Sequence, residues 1–363
     1  MQLLILFRKT RNNRILHVEK YRMQISQEVL NTLKTKLFSS ENIVIITHHN
    51  PDGDALGSSL SLADTLLSLG KNVTSIAPSA FPDFLTWMKG AENMLIGTEQ
   101  MLQCGEKLSS ADMIFCLDFN APKRVQTLSD LLSNSKAYKV LIDHHLEPDT
   151  AQFNIVFSDI RPSSTSEMIW NIIEQLELLN YVSVEGAECI YAGIMTDTGS
   201  FSYSAQNPET YLIVAKLVEL GIDPEKIHRL VYDTFTESRM KLLGFCLNER
   251  MKVIPERSTA YIYLTKEDLK RFNYKVGDTE GIVNYTLSIG LVKFGALFTE
   301  RDDKIRISFR SKGDFNVNQF SHEHFGGGGH KNASGGDSFI SMLETLNRFE
   351  SILNQYDELK KQD

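Results

Sequence analysis

Four short apolar runs in this chain each end in a carboxylate or in a carboxylate and imidazole cluster. Ile43-Val44-Ile45-Ile46 leads into His48-His49-Asn50-Pro51-Asp52-Gly53-Asp54, and Phe115-Cys116-Leu117 into Asp118. Val140-Leu141-Ile142 leads into Asp143-His144-His145, and Gly193-Ile194-Met195-Thr196 into Asp197-Thr198-Gly199. Short apolar runs bounded by polar residues suit strands of a parallel sheet buried on both faces. In such sheets ligands gather beyond the carboxyl ends of the strands. Two carboxylates about 4 Å apart repel by roughly 4 kcal/mol at an effective dielectric of about 20. Several held together must protonate, splay apart or bind a cation.

The segments between these runs carry helical periodicity. Helices are expected over 29–38, 57–69, 164–179 and 208–220, with strands over 43–47, 73–77, 113–117 and 140–142. Gly53 is read as allowing a tight loop, Gly57-Ser58 as opening the next helix, and Ser163, Ser164 and Thr165 as N-cap candidates, with Glu167 completing a capping box. Later in the chain, strands are expected over 259–264, 295–299 and 305–310, and a closing helix over 340–353.

A chain of 363 residues exceeds the roughly 250 to 300 over which one core usually grows, so two domains are expected. The fold class is α/β: an N-terminal parallel-sheet domain over 23–223 with helices on both faces, a helical connector over 224–248, a smaller C-terminal α/β domain over 249–355, and a tail over 356–363. Residues 1–22 read as a disordered or artefactual extension with Met23 as the start. Their apolar run is about a third of the roughly 20 residues a spanning helix needs. Arg8, Lys9, Arg11 and Arg14 follow that run, whereas a secretory signal places its basic residues first.

With 38 basic and 46 acidic residues the formal charge is −8, which argues against coating long nucleic acid through a broad basic face. A small anionic substrate stays open, because bound cations reverse the local sign. Cys104, Cys116, Cys189 and Cys246 are scattered, without a Cys-x-x-Cys pair, and read as core residues of a cytoplasmic protein that does not engage membranes.

His48, Asp52, Asp54, Asp118, His144 and Asp197 offer enough donors for two divalent ions, and paired ions suit hydrolysis of a phosphate ester. Oxygen-rich ligation with two imidazoles favours Mn²⁺, with Mg²⁺ able to serve. No thiolate joins the cluster, so a structural zinc site is not expected.

These motifs resemble those of the DHH phosphoesterase family. His48-x-x-Pro51-Asp52-x-Asp54 with Gly57-Ser58 is similar to the first family motif, Asp118 to the second, Asp143-His144-His145 to the third and Asp197-Thr198-Gly199 to the fourth. Gly326-Gly327-Gly328-Gly329-His330 is similar to the signature of the DHH-associated C-terminal domain. The resemblance implies one metal held by His48, Asp52, Asp118 and Asp197 and another by Asp54, Asp118, His144 and Asp197, with Asp118 bridging. It implies that Asp143 orients an imidazole and that His145 contacts the scissile phosphate or protonates the leaving group. Substrate selection falls to Arg310, Gly327, Gly328, Gly329 and His330.

The implied subgroup hydrolyses very short RNAs to nucleoside 5′-monophosphates and converts 3′-phosphoadenosine 5′-phosphate (pAp) to AMP. The alternatives are an inorganic pyrophosphatase, a RecJ-like exonuclease for long single strands, and a non-catalytic nucleotide sensor. The oligomeric state stays open, a homodimer among the options.

Overall fold

The protein is described by a computed structural model covering residues 22–360, so the expected extension lies outside the described residues except for Arg22. The described chain divides after Thr234 into two compact units.

The first unit is built on six parallel strands: β1 (Asn42–Ile46), β2 (Asn72–Ala77), β3 (Leu95–Ile96), β4 (Met113–Leu117), β5 (Tyr138–Asp143) and β6 (Ile155–Ser158). Their order is β3-β2-β1-β4-β5-β6. The helices are α1 (Gln27–Ser39), α2 (Gly53–Ser68), α3 (Met101–Ser110), α4 (Ser129–Asn134), α5 (Thr165–Gln175), α6 (Val184–Asp197), α7 (Pro208–Glu219) and α8 (Pro224–Tyr232).

Strand alternation assigns the two faces. Ile43, Ile45, Met113 and Phe115 pack with Leu33 and Leu37 of α1 and Met168 and Ile172 of α5. Val44, Ile46, Ile114 and Cys116 pack with Cys104 and Leu108 of α3 and Leu132 of α4. Because every second residue meets a different apolar layer, the central strands β1 and β4 are apolar nearly throughout, and polar residues collect at their ends. The chain order reverses between β1 and β4, the place where open α/β sheets form a ligand crevice.

Two local expectations need correction. The helix after β1 starts at Gly53, four residues earlier than Gly57. Asp52 caps it, its Oδ1 accepting the amides of Asp54 at 3.0 Å and Ala55 at 3.1 Å. Gly53 is therefore helical, and its value is close packing: a Cβ there would run into the side chain of Thr196 on α6. Gly57 is pressed in the same way, a Cβ at that position falling 2.5 Å from the carbonyl oxygen of Cys189. The capping box at Ser164 is also only half formed. Ser164 Oγ accepts the amide of Glu167, but the Glu167 carboxylate turns to the amide and hydroxyl of Ser163.

The second unit contains α9 (Glu237–Phe245), β7 (Met251–Ile254), β8 (Thr259–Leu264), α10 (Lys266–Arg271), α11 (Asn284–Leu287), β9 (Phe294–Glu300), β10 (Ile305–Ser311), α12 (Val317–Phe325), β11 (Gly328–Gly329), β12 (Ala333–Ser338) and α13 (Met342–Ile352). Its sheet runs β11-β12-β10-β9-β8-β7, antiparallel except for β8 and β9. Phe294, Phe298, Phe309, Phe320 and Phe349 fill its core. The division between the units falls within 224–248, with α8 in the first and α9 in the second. Leu359, in the segment read as a tail, is buried in the second core. Among the described residues no helix is long and apolar enough to cross a membrane.

Candidate functional site

Each group expected at the site enters from a defined element of the first unit. His48, Asp52 and Asp54 come from the end of β1 and the first turn of α2; Asp118 follows β4; Asp143, His144 and His145 close β5. Asp197 differs in origin, being the last residue of α6 and not the sequel of a strand. His48, Asp54, Asp118, Asp143 and His144 are all buried.

The side chains converge on one another. Asp118 Oδ2 lies 3.5 Å from His48 Nε2, and its Oδ1 lies 3.6 Å from His144 Nε2 and 3.8 Å from His145 Nδ1. His144 Nε2 is also 3.5 Å from Asp197 Oδ2 and 3.8 Å from Asp54 Oδ2. Ligand atoms of His48, Asp52 and Asp118 form one set within 4.8 Å of each other, and those of Asp54, Asp118 and His144 another, with Asp118 common to both. Most of these separations exceed hydrogen-bond length, so the oxygens and nitrogens face a shared space without closing on one another. Asp118 itself has φ of 63°, a left-handed conformation costly for a residue with a Cβ and frequent at functional sites.

The electrostatics are those of crowded, buried carboxylates facing imidazoles. Burial first, then the charges of Asp118 and Asp197, hold the Asp54 carboxyl well above the ordinary carboxylate range. Burial likewise raises Asp197 to about 6, with His144 pulling the other way and Asp52 and Asp118 adding repulsion. Burial opposes protonation of His144, yet Asp197, Asp118 and Asp54 together lift its pKa to about 9. For Asp118 burial is outweighed by the neighbouring imidazoles, led by His48, and its pKa is depressed. Buried oxygen donors with two facing imidazoles fit divalent metal ions by charge and by donor type.

Asp143 acts one step back from this space. Its Oδ1 accepts from His145 Nδ1 at 2.6 Å. Two groups absent from the expected site also enter it. The Thr165 and Ser166 amides donate to Asp54 Oδ2 at 2.6 Å and Oδ1 at 2.8 Å, and the Thr165 hydroxyl donates to Asp118 Oδ1 at 3.0 Å. The run Ser163-Ser164-Thr165-Ser166 is the only sequence signal for them, and helix capping accounts for it equally well.

In the second unit, the glycine run forms ordered backbone where a hinge would be the simpler reading. Gly326 ends α12 with φ of 59°, while Gly328 and Gly329 pair with Gly335 and Ser334 of β12. The Gly329 amide donates to Asn318 Oδ1 at 2.7 Å, and a Cβ on Gly329 would fall 2.6 Å from Ala333 O. The His330 amide donates to the Ala333 carbonyl at 2.7 Å, closing the turn between β11 and β12. Arg310 stands opposite Ala333 in the β10–β12 register, so it shares this end of the sheet. Its Nη1 donates to the Phe309 carbonyl at 3.0 Å, and its buried Nε has no hydrogen-bond partner among the described residues.

Comparison with known proteins agrees with this arrangement in both units. Residues 42–194 match the DHH family, N-terminal domain, and residues 258–361 match the DHHA1 domain. A crystal structure of an exopolyphosphatase-related protein from Bacteroides fragilis is 43% identical, covering 93% of this chain and 99% of that one, with a TM-score of 0.88. The chain belongs to the DHH family. Among curated relatives, the Bacillus subtilis protein named bifunctional oligoribonuclease and PAP phosphatase NrnA is 28% identical over 86% of this chain and 98% of its own length. A Streptococcus mutans protein named "probable bifunctional oligoribonuclease and PAP phosphatase NrnA" is 29% identical over 89% of this chain and 97% of its own. The DHHA1 match, over residues 258–361, takes in the glycine run.

Proposed function

We propose that this DHH protein is a metal-dependent phosphoesterase that hydrolyses very short RNAs to nucleoside 5′-monophosphates and pAp to AMP. The observation that carries the reading is the convergence of His48, Asp54, Asp118, His144 and Asp197 on one buried, anion-rich space, with Asp52 beside them. The names of the NrnA relatives supply the substrate class.

In this reading His48, Asp52, Asp118 and Asp197 hold one divalent cation and Asp54, Asp118, His144 and Asp197 the other, Mn²⁺ in preference to Mg²⁺. Bound there, the pair supplies an activated water and charge neutralisation at the phosphorus. The two substrates share one chemical event. In a short RNA cut to 5′-monophosphates, and in pAp cut to AMP, water adds to phosphorus, the P–O3′ bond breaks and a nucleoside 3′-hydroxyl leaves. His145, steadied by Asp143, gives the proton that the departing 3′-oxygen needs. The 23–223 region provides this chemistry and the 249–355 region the grip on substrate. There the Arg310 guanidinium pairs with a phosphate, the glycine backbone at Gly327, Gly328 and Gly329 admits it closely, and His330 donates a hydrogen bond or stacks.

A pyrophosphatase, a long-strand exonuclease and a non-catalytic sensor are less favoured, because the Bacillus subtilis and Streptococcus mutans relatives, matched along nearly their whole length, bear the oligoribonuclease and PAP phosphatase names. The deciding experiment incubates RNAs of two to ten nucleotides, labelled at either end, and separately pAp and pyrophosphate, with the protein and Mn²⁺. Mononucleotides from the shortest RNAs and AMP from pAp are expected; phosphate released from pyrophosphate alone would reject the assignment.

A further inference from the structure

Thr165 touches two of the clustered carboxylates at once. Its amide donates to Asp54 Oδ2 at 2.6 Å and its hydroxyl to Asp118 Oδ1 at 3.0 Å, joining residues 111 and 47 positions away in the chain. The residue is fully buried. As the first residue of α5 it has no preceding helical turn whose carbonyl could take the hydroxyl proton, so the proton is directed at Asp118. An ionised carboxylate can only accept, which fixes the direction of the bond.

The turn that presents Thr165 is itself held from several sides. Ser164 Oγ caps α5 through the Glu167 amide at 3.1 Å. Glu167 Oε2 accepts from the Ser163 hydroxyl at 2.7 Å, the Ser163 amide at 3.0 Å and the Thr210 hydroxyl of α7 at 2.7 Å. Ser166 supplies the second amide to Asp54. The carboxylates of Asp54 and Asp118 repel each other across the space they share, and the α5 turn restrains one through its backbone and the other through a side chain.

We propose that Thr165 is a positioning residue that sets the orientation of the Asp118 carboxylate against that of Asp54, and thereby the affinity of the site for divalent cations. The inference rests on the metal-dependent reading above. Partners that orient metal ligands typically change affinity by roughly 10- to 100-fold when removed.

The test measures Mn²⁺ binding to the full chain by isothermal titration calorimetry, without substrate. Thr165→Val keeps the amide and the shape but deletes the hydroxyl, and should weaken Mn²⁺ binding by roughly 10- to 100-fold. Thr165→Ser restores the hydroxyl and should bind within about threefold of the parent. Melting of the metal-free proteins reports folding separately. Thr165→Ala deletes the same hydroxyl without added bulk and carries the same expectation, so a Val variant that fails to fold leaves Ala to decide. Parent-like affinity in a folded Val or Ala variant overturns the inference, as does a Ser variant as weak as Val. A parent protein that binds no Mn²⁺ instead overturns the metal reading on which it rests.

Discussion

Asp143 and His145, two residues apart at the end of β5, are joined by a 2.6 Å hydrogen bond from Nδ1 to Oδ1, with Asp143 fully buried. The intervening residue, His144, turns instead toward Asp54, Asp118 and Asp197. Successive imidazoles are thus separated into one that faces the carboxylate cluster and one hydrogen-bonded to an adjacent carboxylate. Replacing Asp143 by Asn removes the acceptor's charge and lets the His145 ring take the other tautomer. We expect kcat on a dinucleotide to fall by roughly 10²- to 10⁴-fold, the usual range for losing a positioned acid or base, with Mn²⁺ affinity within a few-fold of the parent. Steady-state kinetics beside a metal titration check it, and an unchanged kcat would remove His145 from the proton transfer.

Gly53→Ala tests the close approach of α2 and α6. In an unobstructed helix the change is stabilising, by up to about 1 kcal/mol. Here the new methyl meets the Thr196 side chain beside Asp197, so a loss of roughly 1–3 kcal/mol is expected, the usual cost of overpacking. Urea unfolding gives the sign directly; a gain in stability would contradict the packing described.

Much of this architecture is legible in the residues themselves. Val140-Leu141-Ile142 and Ile43-Val44-Ile45-Ile46 are apolar on both faces because helices cover both, so strand and burial are read together. The α6 helix is harder to see. Gly186 and Gly193 lower its intrinsic preference, yet a Cβ on Gly186 would fall 2.6 Å from Asp64 Oδ2 and one on Gly193 would run into Ser166, so tertiary packing demands what local propensity penalises. In sequence, Asp197 therefore looks like the sequel of another apolar run, although it ends α6. The Thr165 contacts were illegible for a different reason: a Ser and Thr run before a helix reads as a cap, and only the fold brings Asp54 and Asp118 to it.

Arg310→Ala should act on capture, not on chemistry. The buried Arg310 Nε has no hydrogen-bond partner among the described residues and can donate to an anion. Hydrogen bonds to charged groups contribute roughly 1.5–3 kcal/mol, which corresponds to an increase in KM for pAp of roughly 10- to 100-fold with kcat within about threefold. A drop confined to kcat would place Arg310 outside the substrate grip.

Stability of the second unit should depend on pH through Asp268. Burial alone would raise this carboxyl, but two hydrogen bonds from Arg250, at 2.8 and 2.9 Å, and the amide of Thr265 depress it. A depressed folded-state pKa contributes stability above the unfolded value of about 3.9, and that contribution is lost as pH falls through the folded value. Asp268→Asn should therefore cost roughly 1.5–3 kcal/mol at pH 7 and progressively less below about pH 4. Urea unfolding at a series of pH values checks it; a deficit independent of pH would contradict the assignment to this carboxylate.

In the proposed function, six side chains from the ends of β1, β4 and β5, the start of α2 and the end of α6 would bind a pair of divalent cations. Anomalous diffraction at the manganese edge from crystals soaked in Mn²⁺ tests it most directly. Two peaks are predicted, one among His48, Asp52, Asp118 and Asp197 and one among Asp54, Asp118, His144 and Asp197. A soak at saturating Mn²⁺ that leaves no peak within ligand distance of Asp118 would contradict it.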